Sequence, residues 1–210
     1  MNTAVTTILY IGDPMCSWCW GFTPVLDRLR EQLLPHVGFR LMVGGLRPGK
    51  AAVPLDTVFR EQLRHHWRAV QERTGQPFAW EGLERRQFIY DTEPAARAVV
   101  TVRQLAAELE YAYFRAAQEA FYALGQDTTQ LDRLSALAVE LGLDGALFRQ
   151  TFAEESALAL TYADFNAARQ LGVQGFPTLL LQQGDRYYPL TQGYLPYDRL
   201  EPVIRGLLAS

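Results

Sequence analysis

The sequence predicts an α/β fold in which strands and helices from both ends of the chain flank a long helical stretch. Near the amino terminus, apolar runs at residues 6–11 and 37–43 are separated by a segment of helical periodicity, which is the pattern of a βαβ unit. Near the carboxyl terminus, the order is αββα. Helical periodicity covers residues 53–154 between these units, so we expect an inserted all-helical domain there.

The βαβ unit begins with a strand that the turn at residues 12–15 connects to a helix ending near residue 34. Pro24 lies inside this helical segment, which leaves two interpretations. Thr23 and Pro24 would make a good N-cap and first helical residue, or the helix is continuous and kinked at Pro24. We favour the continuous helix. Because a helix forms the crossover, the two strands should be parallel.

The remaining elements follow from apolar spacing and from turn residues. Helices are predicted at residues 55–73, at 94–125 with a break near Glu108, at 127–142 with Asp127-Thr128-Thr129 as the cap, at 144–152, at 155–171 and at 196–208, and strands at 178–181 and 187–190. We therefore expect one domain made of residues 1–52 and 155–210, interrupted by a helical domain of residues 53–154.

Composition narrows the class of protein. The chain has 210 residues, of which 49% are hydrophobic, so it can bury a substantial core. A net charge of −3 gives no electrostatic footprint for nucleic acid or for an anionic membrane surface, and we expect neither partner. We also expect no targeting segment and no membrane span, which predicts a cytoplasmic protein, where structural disulfides are rare.

The two cysteines of the chain form the motif Cys16-Ser17-Trp18-Cys19 directly after the first strand and turn. Two thiols at this spacing can exchange with one disulfide, and the order strand, turn, CxxC, helix is that of thioredoxin-like redox motifs. Two alternatives stay open. The thiols could be inert core groups, or they could be half of a zinc site. We expect no metal, since the only histidines, His36, His65 and His66, lack the usual ligand spacing.

The chain resembles the DsbA family of thiol oxidoreductases over essentially its whole length. The matching residues are the CxxC motif and Gly175-Phe176-Pro177-Thr178, which heads the third strand. The string at residues 13–22 is similar to a cytosolic branch of predicted protein-disulfide isomerases. The resemblance implies a thioredoxin fold interrupted by a helical domain, and an enzyme that exchanges thiols with protein or low-molecular-weight disulfides as a reductase or isomerase.

Chemistry assigns a role to each residue of the motif. At a helix N-terminus the macrodipole stabilises a thiolate, so Cys16 should be the attacking nucleophile, and Cys19 should resolve the mixed disulfide. Ser17 should tune the reduction potential, and Trp18 should offer substrate an apolar face. No cofactor is expected besides the redox-active disulfide, with glutathione as a candidate co-substrate. The direction of the reaction, the electron donor and the oligomeric state stay open.

The resemblance also implies that Pro177 is a cis-proline opposite the disulfide, with the backbone of Phe176 turned outward to pair with an extended substrate. The alternative is a trans-proline that simply opens a strand.

The sequence departs from the family pattern at two places. Many thioredoxin-fold enzymes keep a buried carboxylate six positions before the first cysteine, where this chain has Tyr10. Asp13 is the nearest substitute as a proton acceptor, and bracing the turn is an equal alternative for it. The dipeptide between the cysteines also lacks the histidine of periplasmic DsbA, so the resemblance does not imply a strong oxidant.

Three further segments carry weaker signals. Residues 44–49 could place Arg47 beside the active site to bind a peptide or glutathione carboxylate, although we favour a hinge into the insertion. Residues 90–92 could line the substrate groove or cap a helix. His65 and His66 are most simply solvated helix surface.

Two other functions compete with the oxidoreductase. Kappa-class glutathione transferases and 2-hydroxychromene-2-carboxylate isomerases share the inserted-helical layout, but they typically carry serine where this chain has Cys16, and they lack the resolving thiol. The other alternative is a non-catalytic thioredoxin-fold binding module. The presence of Cys19 argues for the oxidoreductase.

Overall fold

The computed structural model describes residues 6–33 and 37–208. His36 and the predicted helix end near residue 34 lie outside the described residues. In chain order the elements are β1 (Thr7–Gly12), α1 (Ser17–Leu33), β2 (Gly38–Val43), β3 (Val53–Pro54), α2 (Thr57–Thr74), β4 (Ile89–Tyr90), α3 (Glu93–Leu105), α4 (Glu110–Tyr122), α5 (Leu131–Glu140), α6 (Gly145–Ala153), α7 (Glu155–Gln170), β5 (Thr178–Gln183), β6 (Arg186–Gln192) and α8 (Tyr197–Leu208). The predicted βαβ unit and the later αββα unit are confirmed.

One four-stranded sheet has the order β2-β1-β5-β6. Strand β1 pairs with β2 in parallel and with β5 antiparallel, and β5 pairs with β6 antiparallel. The continuous apolar run of β1 follows from its central place, since both faces are covered. Ile8 and Tyr10 pack into the main core, and Leu9 and Ile11 pack into a smaller core on the other face.

Helix α1 runs without interruption through Pro24, so the continuous helix is confirmed and the start at Thr23 is wrong. Proline has no N–H to donate to the carbonyl oxygen of Trp20, one turn earlier. The side-chain amide of Gln76 donates to that oxygen instead, at 3.0 Å. A contact from outside the helix therefore replaces the hydrogen bond that proline removes.

The inserted segment holds α2 to α6, and it also holds a two-residue pair of antiparallel strands, β3 and β4. The break predicted near Glu108 is confirmed by a 3-10 turn at Ala107–Leu109. The cap predicted at Asp127-Thr128-Thr129 is wrong, because α5 begins at Leu131 and its N-cap residue is Gln130. Asp127 instead accepts hydrogen bonds from the N–H and the hydroxyl of Thr129, which closes a turn before the helix.

The insertion and the sheet share one hydrophobic core that includes Tyr10 of β1, Trp67 of α2 and Phe121 of α4. Because the core is continuous, the division into two domains stays a prediction from the sequence. An ion network also joins the two parts. Arg103 of α3 pairs with Glu110 at 2.5 Å and with Asp164 of α7 at 2.7 Å, and Asp164 accepts from the N–H of Val43.

Candidate active site

Cys16 directly precedes α1, at the amino-terminal end of the helix, and follows the turn after β1. Its N–H donates to the carbonyl oxygen of Asp13 at 3.1 Å, and its own carbonyl oxygen accepts from the N–H of Trp20 at 3.0 Å. The residue Cys16 is 6% exposed, and its thiol donates to the carbonyl oxygen of Phe176 at 3.6 Å. Cys16 therefore occupies the position where the dipole of α1 favours a thiolate.

Cys19 lies one helical turn deeper and is fully buried. Both cysteines are free thiols. Burial raises the pKa of the Cys19 thiol well above its ordinary value, and the neighbouring Cys16 raises it further. The backbone N–H of Asp13 and the hydroxyl of Tyr10 act in the opposite direction by hydrogen bonding to its sulfur. Cys16 lines a cavity, as a nucleophile must, whereas Cys19 has no exposed surface.

Tyr10 occupies the place below Cys19, six positions before Cys16. Its ring packs on Phe22 at 6.2 Å and edge-on against Phe114 at 5.7 Å. Its hydroxyl lies over Gly12, where any side chain would overlap it. Burial first, and then the contact with Cys19, raise the pKa of Tyr10 well above its ordinary value. From the sequence alone, Tyr10 is a departure from the family pattern and has no predicted role. The signal was a hydrogen-bonding hydroxyl at that position.

Asp13 is fully buried and braces two segments. One carboxylate oxygen accepts from the N–H of Met15 at 2.9 Å, and the other accepts from the N–H of Leu46 at 2.7 Å. Burial raises the pKa of Asp13 to about 6, although these hydrogen bonds and one with Thr92 lower it. Because both oxygens are engaged by backbone donors, the geometry favours the bracing role over the role of proton acceptor.

Residues 90–92 hold the loop of residues 44–49 beside the motif. The Tyr90 hydroxyl donates to the carbonyl oxygen of Met15 at 2.6 Å. The Arg47 N–H donates to the Thr92 hydroxyl at 3.0 Å, and the Thr92 N–H donates back to the Arg47 carbonyl oxygen at 3.2 Å. Asp91 accepts from the N–H groups of Gly49 and Glu93, both at 2.9 Å. The loop and the motif are therefore one hydrogen-bonded unit.

A cavity of about 220 Å³ opens at Cys16, and its wall includes Ser17, Trp18, Arg47 and Phe176. A larger cavity of about 650 Å³ lies on the far side of Trp18 and Phe176, which border both, and its wall includes Glu72 and Arg73. Trp18 and Phe176 therefore separate the cavity at Cys16 from the larger one.

The structure brings most of the predicted site residues together. Ser17, Trp18 and Phe176 surround Cys16, and Asp13 and Cys19 lie beneath it. The peptide bond between Phe176 and Pro177 is cis, as the order of the sequence predicts. The ring of Phe176 lies against the backbone of Gly44, where any side chain would overlap it. The roles of these residues stay predictions.

Residues 6–33 and 37–208 carry no signal of a metal site or of a membrane span. No group of three or more His, Cys, Asp or Glu side chains there is placed to hold a metal ion. His65 and His66 are exposed on α2. None of the described helices is long and apolar enough to cross a membrane.

The chain is similar to one protein family and to several solved structures. A family model described as a DSBA-like thioredoxin domain matches residues 7–204. The structure of a candidate protein disulfide isomerase from Nitrosomonas europaea is 39% identical, with a TM-score of 0.91 over 98% of each chain. The cytosolic disulfide reductase DsbM from Pseudomonas aeruginosa is 26% identical, with a TM-score of 0.81 over 97% of this chain and 100% of that one.

Two further similarities bear on function. A second structure of DsbM, with GSH, is 27% identical to this chain, with a TM-score of 0.77 over 97% of this chain and 100% of that one. The ClpXP adapter protein SpxH of Halalkalibacterium halodurans is 24% identical in an alignment of 204 positions that covers 93% of this chain. The match spans 65% of the length of SpxH.

Proposed function

The chain belongs to the family of DSBA-like thioredoxin domains, and on this premise we propose that it exchanges thiols with disulfides through Cys16 and Cys19. The observation that carries the proposal is the placement of the two sulfurs. One borders a cavity at a helix N-terminus, and the other is buried one turn below it. An accessible sulfur can attack a substrate disulfide. A buried sulfur one turn below it can react with the mixed disulfide that this attack forms.

The proposed reaction has two displacement steps. The Cys16 thiolate attacks one sulfur of the substrate disulfide, which forms a mixed disulfide and releases the other sulfur as a thiolate. Deprotonated Cys19 then attacks the Cys16 sulfur, which forms the Cys16–Cys19 bond and releases the second substrate thiolate. Two electrons pass from the protein to the substrate. The same steps in reverse oxidise a dithiol.

The buried position of Cys19 sets the order of these steps. Burial disfavours the charged form of its sulfur, so Cys19 remains a thiol while Cys16 reacts. Its proton must leave before it can attack. The hydrogen bonds from Tyr10 and from the Asp13 N–H support the thiolate at that moment.

The outer face of the site supports binding of an extended substrate. We infer that the backbone of Phe176 pairs with the substrate chain, because its carbonyl oxygen already faces the Cys16 sulfur at 3.6 Å. Trp18, which borders both cavities, supplies an apolar contact on the other side. Ser17 lines the smaller cavity next to Cys16, where it can tune the Cys16 thiolate.

The proposed direction is reduction of disulfides in the cytoplasm, with glutathione returning electrons to the Cys16–Cys19 disulfide. The similar protein DsbM is described as a cytosolic disulfide reductase, and a structure of it contains GSH. Protein disulfides and small disulfides are both candidate substrates. An isomerase would use the same first step, since the mixed disulfide at Cys16 can be resolved by a second substrate thiol.

Substitution of each cysteine tests the proposal. With insulin as substrate and glutathione as reductant, Cys16→Ser should abolish disulfide reduction. Cys19→Ser should accumulate a mixed disulfide at Cys16 that mass spectrometry detects. If Cys16→Ser retains the rate of the unaltered protein, the proposal is wrong. Equilibration of the protein against glutathione redox buffers then gives the reduction potential and the direction.

Two alternatives have distinct signatures in the same variants. A transferase or isomerase related to the kappa class would retain its activity in Cys19→Ser, because that chemistry needs no resolving thiol. A binding module, which the similarity to SpxH favours, would alkylate at Cys16 no faster than free cysteine does. The oxidoreductase should instead alkylate at Cys16 faster than free cysteine does.

A further inference from the structure

Arg47, which carries a guanidinium group, lines the same cavity as Cys16. Over residues 6–33 and 37–208, no carboxylate lies within the 4.0 Å ion-pair distance of this group. Arg97 and Arg103, by contrast, are paired with carboxylates, as Arg97 is with Glu93 at 2.8 Å. The charge of Arg47 is therefore free to meet a ligand.

The backbone and side chain of Arg47 are both held in place. Reciprocal hydrogen bonds with Thr92 fix its backbone, and Asp13 fixes the adjacent Leu46 N–H. Its guanidinium lies over the ring of Phe59, 4.7 Å from the centroid. When a guanidinium stacks through its face, the N–H donors at its edge remain available. Two of these donors can hydrogen-bond to the two oxygens of one carboxylate. A fixed fork loses less entropy on binding than a mobile side chain does.

No carboxylate side chain lines the wall of this cavity. Its polar members include Gln62, His66 and Tyr90, and neither Asp nor Glu lines it. The larger cavity differs, because Glu72 and Arg73 both line it. The whole protein has a net charge of −3. A cavity that an arginine lines and that no Asp or Glu lines should therefore bind an anion better than the rest of the surface does.

We propose that Arg47 binds a carboxylate of a small thiol or disulfide of the glutathione type while the sulfur of that molecule meets Cys16. The inference rests on the proposed function and names its substrate class. Glutathione has a carboxylate at each end and its sulfur between them, so one carboxylate can reach Arg47 from the reacting position. A cavity of about 220 Å³ suits part of such a peptide rather than a folded chain.

The reaction at this site follows the two proposed steps. The Cys16 thiolate attacks one sulfur of glutathione disulfide, forms the Cys16–glutathione bond and releases one glutathione thiolate. Cys19, after losing its proton to solvent, attacks the Cys16 sulfur and releases the second thiolate. The protein loses two electrons and the disulfide gains them, so a single turnover of the reduced protein needs no further reductant. Arg47 takes no part in bond making and acts by positioning the substrate.

A comparison of two disulfides tests the inference. The fully reduced protein is mixed with glutathione disulfide or with bis(2-hydroxyethyl) disulfide, which is uncharged, and the remaining thiols are counted by mass spectrometry after an acid quench. Arg47→Gln should slow the reaction with glutathione disulfide about tenfold or more, because a charge-assisted hydrogen bond is lost. The rate with the uncharged disulfide should stay within about twofold, because no charged contact is lost. Arg47→Lys, which keeps the charge without the fork, should fall between.

Arg73→Gln is the matched control, since Arg73 lines the larger cavity on the other side of Trp18 and Phe176. It should leave both rates unchanged. If Arg47→Gln and Arg47→Lys slow both disulfides equally, Arg47 is structural and the inference is wrong. A selective effect of Arg73→Gln instead would place the anion site in the larger cavity and would also overturn it. If the unaltered protein reacts with neither disulfide, the proposed function fails and the inference falls with it.

Discussion

The buried hydroxyl group of Tyr10 donates a hydrogen bond to the sulfur of Cys19. Tyr10 lies on the central strand β1, and Cys19 lies on the first turns of α1, so the contact joins the sheet to the redox helix. A phenol is a hydrogen-bond donor that stays protonated here, because burial raises the pKa of Tyr10. It can therefore stabilise the Cys19 thiolate by a hydrogen bond and adds no negative charge beside it. A carboxylate at this place would repel the thiolate.

Tyr10→Phe should slow the second displacement step. The phenyl ring keeps the packing on Phe22 and Phe114 and removes the hydrogen bond to the Cys19 sulfur. Loss of a hydrogen bond to a charged group costs about 1.5–3 kcal/mol, so resolution should slow at least about tenfold. The measurement is the lifetime of the mixed disulfide at Cys16 by rapid quench and mass spectrometry.

The control for this substitution is Tyr113→Phe. The Tyr113 hydroxyl is also buried and donates to the carbonyl oxygen of Leu134 at 2.8 Å, in the inserted segment. That variant should lose some stability and should keep the lifetime of the mixed disulfide. Equal lifetimes in Tyr10→Phe and the unaltered protein would contradict the role of the phenol.

Asp13→Asn should alter the dependence of stability on pH. Burial raises the pKa of Asp13 from 3.8 to about 6 in the folded state, so the folded state binds the proton more tightly than the unfolded state does. The stabilisation from this proton is complete below a pH of about 3.8 and is lost as the pH rises through about 6. Asparagine does not titrate and removes this dependence.

The measurement is urea unfolding of both proteins between a pH of about 4 and a pH of about 7. From the two pKa values, the free energy of unfolding of the unaltered protein, relative to Asp13→Asn, should fall by about 2 kcal/mol over this range. Asparagine also loses one of the two backbone hydrogen bonds, to Met15 or Leu46, but that loss is the same at every pH. Parallel curves for the two proteins would mean that Asp13 does not titrate in this range.

Arg103→Met should destabilise the junction between the insertion and the sheet. Arg103 pairs with Glu110 and Asp164 and donates to the carbonyl oxygen of Leu41, and the side chains of both acids are less than one-fifth exposed. Without the guanidinium, the two carboxylates remain close together without a cation. Removal of one partner from a buried pair costs about 3 kcal/mol, which urea unfolding measures.

Arg149→Met is the matched control for the ion network. Arg149 pairs with Asp132 at 2.8 Å, but both side chains are largely solvated. An exposed pair contributes less than about 1 kcal/mol, so this substitution should change stability little. If the two variants lose equal stability, the network at Arg103 is no more than a surface contact.

The elements that the sequence predicted correctly are those with a repeating apolar pattern. Strand β1 and helices α1 and α7 lie within a few residues of their expected ends, because burial imposes a period on each. The motif at Cys16 was equally visible, since a redox site needs particular side chains at a fixed spacing.

Features that depend on contacts between distant segments were not predictable in the same way. Strands β3 and β4 have two residues each, too few to show a period, and they pair with each other although α2 lies between them in the chain. Arg47 was visible only as an arginine in a glycine-rich loop. Its place beside Cys16 depends on Asp13 and Thr92, which lie 34 positions before and 45 positions after it in the chain and hold the loop in place.

Gly44→Ala should impair the site through Phe176. A methyl group at Gly44 would overlap the Phe176 ring, which is half-buried and can move outward. We expect slower disulfide exchange at Cys16 and a loss of stability of about 1–3 kcal/mol, the usual cost of overpacking. The two measurements are the rate of oxidation by bis(2-hydroxyethyl) disulfide and urea unfolding.

Two further variants separate the steric effect from a change in backbone freedom. Gly175→Ala places a methyl group beside the same Phe176 in open space, with no atom within 4 Å, so it should change both measurements little. In the double variant Gly44→Ala with Phe176→Ala, the overlap is absent, so adding Gly44→Ala to Phe176→Ala should cost much less than adding it to the unaltered protein. Additive costs in this double-mutant cycle would show that Gly44 is required for a reason other than room for the Phe176 ring.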